Sequence, residues 1–142
     1  MRQGALVLVL LGALSSTAAA AVPTFYLALA PRECAIAPVA HKHLPVVPCS
    51  DPRHNLEVYA VGHGGWGHAK MPATYAAQLA IARRVCLSAF QRVTGRALAA
   101  SEGWEAYWPD PGAEQAKYGD KIVCGYRHIS HLSPFGPGWH VR

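Results

Sequence analysis

The sequence predicts an α+β domain: one long amphipathic helix packed on a small, mostly antiparallel sheet and stapled by two disulfides. Three observations carry that prediction. Apolar residues recur at helical spacing over residues 74–94, short runs rich in Val, Ile and Tyr lie before and after that stretch, and four cysteines follow an export-type N-terminus. The 142 residues fit one domain, and 51% apolar against 15% charged residues excludes a disordered or coiled-coil chain. Thirteen Gly and eleven Pro call for many turns.

Met1, Arg2 and Gln3 open the chain with a positive charge, residues 5–14 are apolar around Gly12, and residues 15–20 turn small and polar. That is the pattern of a secretory signal peptide over residues 1–20, with Ala18, Ala19 and Ala20 supplying the small residues a signal peptidase requires. An uncleaved anchor is the alternative, because Phe25, Tyr26, Leu27 and Leu29 prolong the apolar stretch. Ser15, Ser16, Thr17 and Pro23 interrupt it, however, and a span needs about 20 apolar residues. No stable membrane span is expected after cleavage, and the location expected is secreted or extracytoplasmic, in the cell envelope. Residues 21–32 form an N-terminal extension, residues 33–128 the folded domain, and residues 129–142, with Pro134, Gly136, Pro137 and Gly138, a mobile tail.

Within the domain, residues 44–47 are a weak strand cut by Pro45, and residues 56–61 are a stronger one. Over residues 74–94, Tyr75, Leu79, Ala82, Cys86, Phe90 and Val93 fall three or four apart and line one helix face, so Cys86 points to the core. Pro72 stands near the helix start and Gly95 ends it. Residues 97–100 are expected to form a short second helix, residues 104–108 a strand or loop, and residues 121–126 a strand.

Cys34, Cys49, Cys86 and Cys124 make an even count in an exported chain, which predicts two disulfides. Three connectivities are possible, and pairing neighbours, Cys34 with Cys49 and Cys86 with Cys124, crosses the chain least. Closures of these lengths are worth about 3 and about 4 kcal/mol in the chain-entropy model. A cysteine zinc finger is disfavoured because the chain has no C-x-x-C pair.

The ordered parts Glu33-Cys34, Val47-Pro48-Cys49-Ser50, His54, Glu57-Val58, Pro72, Cys86, Phe90, Val93-Thr94-Gly95, Pro111, Tyr118-Gly119-Asp120-Lys121 and Val123-Cys124 resemble the septum-formation domain family of bacterial envelope proteins. The resemblance covers about residues 33–127. Tyr118 stands where that family commonly has Trp, Arg53 separates Pro52 from His54 where the family has a continuous Pro-His, and Ala35 replaces an aromatic, which marks a divergent member. The resemblance implies an exported domain associated with septum formation and cell division, with no catalytic role. It also implies the four cysteines as disulfide partners, and Glu57, Gly95 and Gly119 as positions that hold the fold.

The residues themselves offer little catalytic machinery. G-x-S-x-G, H-E-x-x-H and S-x-x-K are all missing from the sequence. Glu102, Glu105 and Asp110 could supply a glycosidase-type acid pair, but any eight acids offer such pairs. The loop over residues 62–67 is rich in glycine yet lacks the lysine and following helix of a phosphate cradle. His54 and Glu57 belong to a turn entering a strand, where Glu57 would bond backbone or Arg53. Neither an enzyme nor a cofactor is expected.

Trp104, Tyr107, Trp108 and Tyr118 are the candidate binding residues, because aromatic faces beside acids and amides make shallow platforms for sugars or peptides. Core packing competes with that role. Eight histidines, six of them grouped as His41 and His43, His63 and His68, and His128 and His131, raise the alternative of a secreted histidine-rich metal-binding protein. Its ligands would be His41, His43, His63 and His68, against the simpler assignment of surface-loop histidines. The net charge of +5 is scattered, with no run longer than Arg83-Arg84, so nucleic acid is not expected as a partner. The expected partner is an envelope protein or a cell-wall polymer.

Overall fold

The computed structural model describes residues 20–37, 42–99, 102–127 and Phe135. In chain order these form β1 (Val22–Phe25), a 3-10 turn (Tyr26–Ala28), β2 (Cys34–Ala35), β3 (His43–Val47), β4 (Leu56–His63), α1 (Tyr75–Thr94), β5 (Gly103–Tyr107), α2 (Ala113–Tyr118) and β6 (Lys121–Arg127). The strands make one curled sheet in the order β1-β3-β2-β4-β6-β5, and all neighbouring pairs are antiparallel. The predicted α+β class therefore holds, with one long helix, one antiparallel sheet and two disulfides. The signal segment lies outside the described residues, apart from Ala20, as does the tail apart from Phe135.

α1 begins where Thr74, in extended conformation, accepts a hydrogen bond from the Ala77 N–H at 3.2 Å. It ends at Gly95, whose φ of 75° lets its N–H return to the Gln91 carbonyl. Ala82, Cys86, Ala89 and Phe90 are its buried residues, so the predicted face is right in its middle turns. At its ends Tyr75 and Val93 lie exposed, because the helix overhangs the sheet there. The small residues of that face let α1 approach closely. A Cβ added at Gly62 on β4 would lie 2.5 Å from the Val85 side chain.

Two apolar clusters occupy the two faces of the sheet. Beneath α1, Tyr59, Trp66, Met71, Ile122, Cys124 and Tyr126 pack with Cys86 and Phe90. On the other face, Tyr26, Leu27, Leu29, Leu44, Leu56, Val58 and Val123 pack together. β6 serves both faces by simple alternation: Ile122, Cys124 and Tyr126 towards α1, Val123 away from it. β4 needs a register shift between Val58 and Ala60, which puts Tyr59 and Ala60 on the helix side and Val58 and Val61 on the other.

Both disulfides join sequence neighbours. Cys34 on β2 bonds Cys49 in the turn after β3, and Cys86 bonds Cys124, tying α1 to β6. The segment before Cys34, assigned to an extension, supplies β1 and two fully buried leucines, Leu27 and Leu29. The short helix expected at residues 97–100 is not formed over 97–99, where the chain is irregular. There Glu102 accepts from the Ala99 N–H and pairs with Arg96, closing a loop instead of a helical turn. β5 settles the strand-or-loop choice in favour of a strand. Phe135 packs its ring within about 6 Å of Tyr59, Phe90 and Tyr126.

Candidate functional site

The end of β5, the first turn of α1 and the 3-10 turn meet around an open cleft of about 260 Å³, lined by Tyr26, Tyr75, Gln78, Tyr107, Trp108 and Asp110. Tyr75 reaches it because α1 overhangs the sheet. Its side chain is 68% exposed and its ring lies 5.7 Å from that of Trp108, tilted by 37°. Gln78, one turn further along α1, fixes the indole. Its Oε1 accepts from Trp108 Nε1 at 3.0 Å while its Nε2 donates to the Pro72 carbonyl at 2.7 Å.

The floor is similarly tied down. Tyr107 O–H donates to Glu105, which also pairs with Arg127 at 2.6 Å. Tyr26 O–H donates to Glu114 at 2.9 Å, and Lys42 Nζ bridges Glu114 and Asp110. Burial first, and then the carboxylate each one meets, pushes both phenols well above the usual tyrosine range, so they stay protonated as donors. Burial would raise Glu114, but the Asp110 N–H, Lys42 and Tyr26 together outweigh it and keep the carboxyl below its ordinary range. The result is a rigid aromatic surface with fixed polar groups at its edge, which can stack against a planar or ring-shaped ligand.

Across the Lys42 bridge lies a second hollow of about 370 Å³, lined by Phe25, His43, Ala113, Glu114, Lys117 and Tyr118. Phe25 and Tyr118 stack at 5.5 Å, and Lys117 sits 5.1 Å over the Tyr118 ring. The four candidate aromatics are thus not brought together. Tyr107 and Trp108 line the first cleft, Tyr118 the second, and Trp104 packs against the cluster beneath α1. Sequence reasoning missed Tyr26 and Gln78, and it placed Tyr75 on the buried face. The aromatic character of Tyr26 and Tyr75 was visible, but nothing local shows that residues about 50 apart in sequence share one cleft.

The candidate acids each meet a different cation: Glu102 with Arg96, Glu105 with Arg127 and Asp110 with Lys42. Of the candidate histidine ligands, His41 lies outside the described residues, as do His128 and His131. His43 packs against Phe25, His63 Nδ1 lies 2.8 Å from Asp120 Oδ1, and His68 lies beside Gly119. Among the described residues, the one Cys/His/Asp/Glu group gathered closely enough to hold a metal ion is elsewhere. It consists of Cys34, His54 and Glu57, with ligand atoms within 4.8 Å of one another. Of the two partners expected for Glu57, backbone or Arg53, the arginine is engaged elsewhere. Arg53 turns to Asp51 at 2.7 Å and leaves His54 beside Glu57.

Among the described residues, no helix is long and apolar enough to cross a membrane. No family model matches the chain, and no curated protein or solved structure matches it.

Proposed function

We propose that the chain is an exported, non-enzymatic envelope domain that binds a protein or cell-wall component during septum formation and cell division. The observation that carries this reading is the cleft in which Tyr75 stands exposed against a Trp108 ring fixed by Gln78. A large aromatic held open to solvent on a rigid support is the kind of anchor that dominates recognition surfaces. The two disulfides fit an oxidising, extracytoplasmic compartment. The septum enters through the ordered motifs around Cys34, Cys49, Cys86 and Cys124 that resemble the septum-formation family.

The test is a fluorescent fusion exported in dividing cells, combined with capture of envelope partners and purified cell wall by the oxidised chain. The parent is expected to concentrate at the division site and to retain a specific protein or wall fraction. Tyr75→Ala with Trp108→Ala should weaken that capture by roughly tenfold or more, about 1.4 kcal/mol or more, measured on a double variant confirmed as folded, because Trp108 also packs against the cluster beneath α1. Uniform distribution around the envelope, or undiminished capture by the double variant, would overturn the reading.

A further inference from the structure

We propose that Cys34, Cys49, His54 and Glu57 form a zinc site that exists only while the Cys34–Cys49 disulfide is open, so that this corner of the fold alternates between a disulfide and a metal centre. It uses none of the cleft residues and none of the histidines considered above as ligands.

Strand register builds the site. Cys34 on β2 lies directly opposite Glu57 on β4, so their side chains are cross-strand neighbours on one face. The turn that enters β4, closed by the His54 N–H on the Asp51 carbonyl at 3.1 Å, folds the imidazole back over them. His54 Nδ1 lies 2.7 Å from the Asp51 carbonyl oxygen, which can only accept, so Nδ1 carries the proton. Nε2 is then the nitrogen directed at Glu57 Oε1, 3.4 Å away. Zn–N and Zn–O bonds of about 2.0–2.2 Å at a tetrahedral angle place the two ligand atoms roughly 3.3–3.5 Å apart, which matches the observed separation.

The hydrogen bond from Nδ1 is also what orients metal-bound histidines, through a carbonyl behind the ring. Cys34 Sγ completes a three-ligand set, and Cys49 is bonded to it. Two thiolates, an imidazole and a carboxylate are a donor set suited to zinc.

The same geometry makes the two states exclusive. In the disulfide neither sulfur carries the negative charge that a zinc ligand needs. Opening the bond with a phosphine adds two electrons and two protons to the sulfurs and converts the phosphine to its oxide with oxygen from water. Zinc binding then releases both thiol protons. In the reverse direction a disulfide donor accepts the two electrons from the zinc-bound thiolates and two protons from solvent, the protein disulfide forms and zinc leaves. Access favours this bridge over the other one. Cys49 is half-exposed in a turn and the His54 side chain keeps 19% of its surface, whereas Cys86 and Cys124 are fully buried.

The probes are zinc and cobalt(II) alone, added to the full chain before and after mild phosphine reduction, with alkylation mapping to confirm that Cys86–Cys124 stays closed. The oxidised chain should bind no zinc, and the reduced chain about one equivalent, with the near-ultraviolet thiolate-to-cobalt band and visible bands of a tetrahedral centre. Cys49→Ser leaves Cys34 as a thiol without any reductant, so it keeps the test valid if reduction loosens the fold. It should show the thiolate-to-cobalt band in the untreated protein. In that background His54→Ala and the isosteric Glu57→Gln should each lose the band at equimolar cobalt. Absence of the band from both the reduced parent and Cys49→Ser, or its survival in folded His54→Ala and Glu57→Gln, would overturn the proposal.

Discussion

Glu102 shows how much of this fold's electrostatics rests on single side chains. It accepts from Arg96 at 2.7 Å, from the Ala99 N–H at 2.7 Å and from the Tyr126 phenol at 3.1 Å. The Arg96 bond foremost, against the opposing effect of burial, holds its carboxyl down at about 2. A folded pKa below the ordinary 4.5 means stabilisation that is complete above about pH 4.5 and is lost as pH falls towards 2. Glu102→Gln should therefore lower Tm at neutral pH and flatten its decline between pH 4.5 and 2, measured by melts across that range. A variant whose Tm falls as steeply as the parent's would count against this assignment. The sequence marks Glu102 only as one acid among eight, because the irregular loop that folds Arg96 and the Ala99 N–H onto it has no periodic pattern, and Tyr126 comes from β6. Tyr75 shows the converse. Its spacing is that of a core residue, yet it ends exposed at the point where α1 runs past the sheet.

At the scale of elements, the two staples should differ in worth. Cys86–Cys124 closes 38 residues and ties α1 to β6 with both sulfurs fully buried, while Cys34–Cys49 closes 15 and ends in a surface turn. Cys86→Ala is expected to lower Tm more than Cys34→Ala: loop closure alone favours this order by about 1 kcal/mol, and a cavity beside Phe90 adds to it. Thermal melts in the opposite order would refute it. α1 and the strands at β4 and β6 were legible because each is long enough for its period to show. α2 was not. Its six residues, between Gly112 at φ 101° and Gly119 at φ 64°, complete fewer than two helical turns and carry no buried residue. β2 spans two residues and is a strand only because β3 and β4 lie on either side of it.

For the molecule as a whole, the segment before Cys34 matters more than its composition indicates. Leu27 and Leu29 are fully buried in the cluster opposite α1, and Lys121 on β6 donates to the Leu27 carbonyl at 2.6 Å. Leu27→Ala should cost about 2–5 kcal/mol, read from denaturant unfolding monitored by tryptophan fluorescence. A loss below about 0.5 kcal/mol would mean that this segment is dispensable. The apolar stretch at residues 25–29 matches either the end of an export signal or the start of a core, and no local pattern separates the two. In the fold, β1 just before it pairs with β3 about 20 residues on, and Leu27 and Leu29 fill the core.

The sequence by itself determined the α+β class, the extent of α1, the strands at β4 and β6, and the pairing of cysteines with their neighbours. Each is written in periodicity or in distances along the chain, which local sterics and loop entropy read directly. Only the tertiary structure decided that Tyr26, Tyr75 and Trp108 share a cleft, that Trp104 packs beneath α1, and that Cys34 and Glu57 lie opposite each other with His54 above them. Periodicity states which side chains turn inward. Which of them meet depends on strand register and helix docking, and these are settled by the joint packing of segments far apart in the chain.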